Sequence, residues 1–261
     1  MPLSDIHLVR EFAAGPHIRA LRATAPSEHK FFERHARGPL VDGLYADLVV
    51  LVEGPTERGA LPVLWQKQRP GDGLDENRIE LIDCDGINRM RSYVRFFRAL
   101  EIPLVAVCDA DNPIAYENLA AENPDAVVRW STHTDWEGVI AAEADVETAA
   151  AALELGRAAL GEWEQHATQL RDCVLRSAGE ADHVAAATDI PSLLRGYGDA
   201  DRRHALADLM RGQSGIDFKS AIEGRLVAEA LSDVPPTTAR MMEIVHEVAA
   251  GAQGAGSRHD L

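Results

Sequence analysis

Residues 48 to 57, Leu48-Val-Val-Leu-Val-Glu53-Gly54-Pro55-Thr56-Glu57, limit the folds open to this chain more than any other stretch. Five consecutive aliphatic residues read as a buried strand, the kind found in parallel sheets covered on both faces. Glycine and proline end the run, and Thr56 is placed to open a helix. Two carboxylates four residues apart, Glu53 and Glu57, are thereby delivered to one tight strand-to-helix turn.

The same alternation continues from Ala46 to about Ile140. Strands are expected at Leu48–Val52, Ile79–Ile82, Leu104–Val107 and Ala126–Trp130. The helix after Thr56 puts Ala60, Leu61, Leu64 and Trp65 on one face, with Pro62 in its first two turns either delaying its start or kinking it. A second helix, from about Asn88 to Leu100, puts Met90, Tyr93, Val94, Phe97 and Leu100 on one stripe, the period of a helix that covers a sheet. Strand-helix alternation at this spacing implies an α/β fold with a central, mostly parallel sheet flanked by helices and right-handed crossovers. Arg69-Pro-Gly-Asp-Gly73 and the stretch from Asn112-Pro to Asn123-Pro read as loops by their turn residues. Upstream, Ile6–Arg10 reads as a short strand and Ser27–Leu44 as a helix. Downstream of Ala141 the chain is rich in Ala, Leu, Glu and Arg and reads as several helices, broken at Gly212-Gln-Ser-Gly215 and Val234-Pro-Pro236. The expected division is a lead-in segment at 1–45, a catalytic domain at 46–145, a helical region at 146–249 and a frayed, Gly- and Ala-rich tail at 250–261.

Charge narrows the function. The chain carries a formal net charge of -16 over 261 residues. Most non-specific affinity for nucleic acid comes from neutralising phosphates, so this average field opposes DNA. Either the substrate is not nucleic acid, or metal ions and a local basic patch overcome the average, or a partner supplies the binding surface. One such patch is present in the sequence. Arg89, Arg91, Arg95 and Arg98 lie on the second helix with no acid between Asp85 and Glu101, and the last three share a face. They are a candidate phosphate-binding stripe, to be weighed against an ordinary solvated helix face. No apolar run approaches the ~20 residues that span a bilayer, and the N-terminus lacks the pattern of a signal peptide. Cys84, Cys108 and Cys173 are too widely spaced for a disulfide framework or a zinc site, which points to buried thiols in a cytoplasmic protein.

The chemistry lies in the acids. Ligands of open α/β sheets bind beyond the carboxyl ends of the strands. Glu53 ends the first strand; Asp109 ends the third, with Asp111 two residues on. Glu57 falls in the first helical turn. A further acidic piece, Thr132-His133-Thr134-Asp135-Trp136-Glu137, follows the fourth strand. Carboxylates gathered there repel one another, and divalent cations, which take oxygen ligands, relieve that repulsion and can hold a phosphodiester and a nucleophilic water. Taken singly, each piece has a plainer explanation. Glu57 can be a helix-start acid, Asp-Ala-Asp a loop, Asp135 a helix N-cap and His133 a structural histidine. Their coincidence at strand ends of one βα unit is what favours a site. The chain has no G-x-x-x-x-G-K-[ST] segment, so no nucleotide loop of that type is encoded.

The Glu53-Gly-Pro-Thr-Glu57 turn after an apolar strand, the later Asp109-Ala-Asp111 after another, and the amphipathic helix between them resemble a TOPRIM domain, a Rossmann-like fold shared by topoisomerases, primases and small nucleases. Leu-Val-Glu53-Gly-Pro-Thr-Glu57 and the stretch from Phe96 to Asp111 are most similar to the form found in the OLD (overcoming lysogenization defect) endonucleases. Thr134-Asp135-Trp136-Glu137 resembles that family's third acidic motif, and Asp217-Phe-Lys219 with Val234-Pro-Pro236 its C-terminal pattern. The resemblance implies a DNA endonuclease serving DNA processing or phage defence. It would use two Mg²⁺ or Mn²⁺ ions, one orienting the water and one stabilising the leaving oxygen. Glu53, Glu57, Asp109, Asp111, Asp135 and Glu137 become the metal-ligand candidates, Glu53 also a candidate general base, and Lys219 a residue offsetting charge on the phosphorus, or else a solvated helix lysine. The family's usual chain carries an ABC-type ATPase domain before this region, whereas residues 5–45 resemble only its tail. The chain is then expected to be a free-standing nuclease subunit or a fragment of a longer or split gene, with a conditional subunit that needs a separate ATPase to bind DNA as the alternative. DNA, such an ATPase and a second copy of the chain (a homo-oligomer) are the expected partners. A metal-dependent phosphatase of small molecules is the reading from another class, since Asp-x-Asp after a strand also opens haloacid-dehalogenase sites.

Overall fold

The computed structural model describes residues 7–12, 15–20, 38–160, 163–178, 184, 186–211, 220–251 and 256–261. A short antiparallel hairpin, β1 (His7–Phe12) and β2 (Gly15–Ala20), forms its own two-stranded sheet. Most of the helix expected at Ser27–Leu44 lies outside the described residues; within them, α1 (Pro39–Asp42) is helical.

The main sheet begins with β3 (Leu48–Val52), whose five residues are all buried. It continues through α2 (Pro55–Gln68), β4 (Ile79–Asp83), α3 (Ile87–Ala99), β5 (Leu104–Cys108), α4 (Pro113–Ala120) and β6 (Ala126–Arg129). Helices α5 (Trp136–Glu143), α6 (Val146–Leu160), α7 (Trp163–Ala178), α8 (Ile190–Leu194), α9 (Asp199–Met210), α10 (Ala221–Ala230) and α11 (Pro236–Ala249) follow, and β7 (Ser257–Asp260) closes the chain. The sheet order is β4-β3-β5-β6-β7, and every pairing is parallel. The α/β architecture expected from the sequence is therefore present, with the sheet parallel throughout.

Strand side chains alternate between two cores, as the pleat requires. Leu48, Val50, Val52, Val105 and Val107 face a large core shared with α2 and helices α5 to α11. Val49, Leu51, Leu104, Ala106 and Cys108 face a second core closed by α1, α3 and α4. The helices after residue 146 thus share their apolar interior with the sheet. α10 comes closest. A Cβ on Gly59 of α2 would stand 1.9 Å from the carbonyl oxygen of Ala221, and one on Gly224 of α10 would stand 2.1 Å from that of Thr56. Two glycines, one on each helix, let the backbones touch.

Three local expectations change. α2 starts at Pro55 with Gly54 as the residue before it, earlier than a Thr56 cap would put it, and it runs through Pro62. The stretch from Asn112 to Asn123 contains an eight-residue helix, because Asn112 accepts the N–H of Ala115 at 3.0 Å and Pro113 occupies the first turn. Asn-Pro starts helices as readily as turns. The tail is not frayed at its end: Ser257–Asp260 pairs in parallel with Ala126–Arg129. Arg129 reinforces that edge by pairing with Asp260 at 2.8 Å and stacking on the Tyr116 ring at 4.4 Å.

Candidate metal centre

In a sheet ordered β4-β3-β5, the chain leaves β3 toward one edge and then returns to the other side. Ligand sites of open α/β sheets form where that reversal parts the loops, here between the carboxyl ends of β3 and β5. Glu53 ends β3 and Asp109 ends β5. The Asp109 backbone N–H donates to Glu53 Oε2 at 3.1 Å, tying the two ends together. The Glu53 carbonyl accepts from Gly86 N–H at 2.8 Å, which brings in the turn after β4. That turn is left-handed at Asp85 (φ 54°) and Gly86 (φ 101°).

Glu57 lies in the first turn of α2, 5% exposed. Its carboxylate curls back over Gly54, where a Cβ would be 3.3 Å from Glu57 Oε2. Glu137, in the first turn of α5, is 4% exposed. Together Glu53, Glu57, Asp85, Asp109 and Glu137 line a crevice of about 240 Å³, in which no lysine, arginine or histidine takes part among the described residues. Burial holds the Glu57 carboxyl well above the usual range, and the nearby charges of Glu137, Asp109 and Glu53 push it further in spite of a backbone hydrogen bond that lowers it.

The other expected site residues are placed differently. Asp111 is exposed and outside the crevice lining. Asp135 caps α5, accepting the Gly138 N–H at 2.7 Å, and it takes both Nε and Nη2 of Arg211 at 2.6 and 2.9 Å. The backbone still links these loops, since Ala110 N–H donates to the Thr134 carbonyl at 2.6 Å. His133 Nε2 lies 3.7 Å from Glu143 Oε1. Lys219 is outside the described residues; the next residue, Ser220, caps α10. The arginine stripe, free of acids in sequence, meets acids in space. Arg91 and Arg95 bind Glu122 at 2.6 and 2.5 Å, and Arg98 binds Asp125 at 3.2 Å. Arg89 pairs with Asp85 at the crevice. Asp85 itself went unread; its signal was a third strand-end acid followed by glycine, Asp83-Cys-Asp85-Gly86.

Residues 44–111 match the family model for the TOPRIM domain of overcoming lysogenization defect protein-like proteins. This bears out the resemblance carried by Glu53-Gly-Pro-Thr-Glu57 and Asp109-Ala-Asp111, and sets the TOPRIM segment among domains typical of metal-binding nucleases and primases. The motifs around Asp135 and Lys219 fall outside the matched stretch. A solved structure, the C-terminal region of the OLD protein of Xanthomonas campestris pv. campestris, is similar at 15% identity with a TM-score of 0.40, over 80% of this chain and 96% of that one. No curated protein matches the chain.

Among the described residues, no three acidic, histidine or cysteine groups converge closely enough to chelate an ion as they stand. The donor set nevertheless suits a hard cation. All its ligating atoms are carboxylate oxygens, they repel one another, and the crevice lining contributes no positive side chain to balance them.

Proposed function

We propose that the protein is a divalent-metal-dependent DNA endonuclease that hydrolyses phosphodiester bonds, with the crevice between β3 and β5 as its active site. The observation that carries this reading is the meeting of Glu53, Glu57, Asp109 and Glu137, from three separate stretches of chain, at the switch point of a parallel sheet. These four, joined by Asp111 two residues after Asp109, would hold Mg²⁺ or Mn²⁺, two ions when the site is filled. Bound there, the cations would supply charge to the scissile phosphate and lower the pKa of water.

The chain's own residues do the rest. Glu53 Oε2 is engaged by the Asp109 N–H, which fixes the carboxylate and leaves Oε1 as the atom to take a proton from the attacking water. Glu57, buried with its charge opposed by three neighbours, is the group most relieved by a cation. Lys219 is the candidate for offsetting charge on the phosphorus. Arg89, beside the crevice through Asp85, is the candidate phosphate contact of the α3 stripe. The described cysteines, all free and buried, suit a reducing cytoplasm. No described helix is long and apolar enough to cross a membrane.

A second reading is favoured by charge. The net charge is -16, and Arg91, Arg95 and Arg98 of the α3 stripe are already paired with acids, so that stripe offers little free positive charge to DNA. An ABC-type ATPase partner would then deliver DNA to the site, in DNA processing or phage defence. The test is nicking of supercoiled DNA by the purified chain with Mn²⁺ or Mg²⁺. Activity abolished by Glu53→Ala and by Asp109→Ala supports a self-sufficient nuclease. Activity only with an ATPase present supports the conditional subunit. Hydrolysis of a chromogenic phosphate ester, without DNA cleavage in either setting, overturns both.

A further inference from the structure

Helix α5, which carries Glu137 into the crevice, is gripped at both ends by arginines of one neighbouring segment. At its C-terminal end, Arg203 of α9 donates from Nη1 to the carbonyls of Ala141, Ala142 and Ala144 at 2.7, 2.8 and 3.1 Å. These belong to the carbonyls that lack a donor within a helix. At its N-terminal end, Arg211, just past α9, presents Nε and Nη2 to the two oxygens of Asp135. Arg211 is itself steadied by Asp208 at 3.2 Å.

Asp135 is heavily used. Its two oxygens accept three N–H groups, two from the guanidinium and one from Gly138. A fork-on-fork arginine-carboxylate pair is geometrically specific and neutralises the acid in place. The side chains are 13% exposed for Asp135 and 22% for Arg211, so water screens the pair little. The packing is tight around it. A Cβ on Gly138 would meet the His133 carbonyl oxygen at 2.2 Å and Arg211 Nη2 at 3.2 Å. Two residues along from Asp135, Glu137 points into the crevice, whereas Asp135 does not line it.

We propose that Arg211 and Asp135 form a positioning pair that sets the first turn of α5 and so fixes where the Glu137 carboxylate meets the metal crevice, with Asp135 acting as cap and ion-pair partner in place of a metal ligand. The proposal rests on the crevice being a metal site. Outer partners that orient a ligand commonly matter to metal affinity by 10–100-fold, and Arg211 acts on Glu137 through the helix it anchors.

The test is titration of the whole chain with Mn²⁺, following free ion by electron paramagnetic resonance, alongside thermal melting in EDTA. Arg211→Ala, Asp135→Asn, their double variant and Glu137→Gln are compared with wild type. The expected result is that Arg211→Ala weakens Mn²⁺ binding about tenfold and that the double variant is no weaker than Arg211→Ala. Asp135→Asn, which keeps the cap and one bond to Arg211, should lose less affinity than Glu137→Gln. If Asp135 is instead a ligand, Asp135→Asn matches Glu137→Gln, while Arg211→Ala, by releasing the carboxylate, leaves binding unchanged or tighter; that result overturns the proposal. Should Arg211→Ala fail to fold, Arg211→Lys, which loses the fork but keeps the charge, takes its place with the same expected direction. Wild type that binds no Mn²⁺ overturns the metal reading and the proposal with it; wild type that binds while Arg211→Ala binds equally well overturns the proposal alone.

Discussion

The Asp109 N–H donates to Glu53 Oε2 at 3.1 Å across 56 residues of sequence. That bond joins the ends of two neighbouring parallel strands and holds one glutamate oxygen at the floor of the acidic crevice. Glu53→Gln can keep the bond through its amide oxygen while losing the charge. Its melting temperature in EDTA should therefore stay close to that of wild type. Metal-dependent nicking of DNA should fall by at least about 100-fold, the usual scale for a lost general base. Plasmid relaxation assays with matched thermal melts separate the two effects.

Glu57 should behave in the opposite way, as a charge the metal-free fold tolerates poorly. Its folded carboxyl is raised by burial first and by Glu137, Asp109 and Glu53 after that. Between the ordinary value of about 4.3 and the raised one, the native state keeps a proton the unfolded chain has lost. Stability in EDTA should therefore fall as pH rises through that window and level off above it. Glu57→Gln should flatten this slope and melt higher than wild type at neutral pH, yet gain less from added Mn²⁺, because a ligand that binds only the native state stabilises in proportion to its affinity. Melting curves from pH 4 upward, with EDTA and with Mn²⁺, are the measurement.

The arginines of α3 should divide into two kinds. Arg95 and Arg91 hold the Glu122 carboxyl below the usual range by hydrogen bonds, Arg95 contributing most, against some desolvation. A depressed carboxyl contributes stability that is present above its unfolded pKa and is lost as pH falls through the folded value. The gap in melting temperature between wild type and Arg95→Ala should accordingly be largest near neutrality and close below about pH 4. Arg89→Ala removes only an exposed pair with Asp85, so its stability should change little. Its cost should appear as a higher DNA concentration for half-maximal nicking, and as a shallower dependence of that value on salt.

Gly59 and Gly224 test the contact that brings α10 against the site. A methyl at either would collide with backbone, the carbonyl of Ala221 or of Thr56. Backbone cannot rotate aside as a side chain can, so Gly59→Ala and Gly224→Ala should each destabilise the fold by about 1–3 kcal/mol, read from chemical denaturation. Gly71→Ala, at a surface turn with open space around it, gives a comparison in which only the left-handed φ of 81° is penalised.

Much of this structure is legible in the sequence because the parallel strands are buried on both faces and therefore appear as unbroken aliphatic runs, Leu48–Val52 and Leu104–Cys108 above all. The strand ends then placed Glu53 and Asp109 side by side. What escaped did so for physical reasons. Ser257–Asp260 joins the sheet edge through its backbone, with side chains alternately half-buried and exposed, so no apolar pattern marks it. Asn112-Pro113 is ambiguous between turn and helix start until the Ala115 N–H is seen to find its cap. Asp85 lines the crevice from a turn with positive φ at Asp85 and Gly86, which its Asp-Gly pair permits but no apolar pattern marks. Asp135 and Glu137, alike in sequence, are placed differently: Asp135 pairs with Arg211, 76 residues away, and Glu137 lines the crevice.

Anomalous diffraction at the manganese edge, from crystals soaked in Mn²⁺, tests whether the crevice between β3 and β5 holds metal. The expected result is a peak within the crevice, in contact with carboxylate oxygens of Glu53, Asp109 and at least one of Glu57 and Glu137, and lost in Glu53→Ala crystals soaked in the same way. A crevice without manganese, with peaks only at exposed acids elsewhere on the surface, would contradict it.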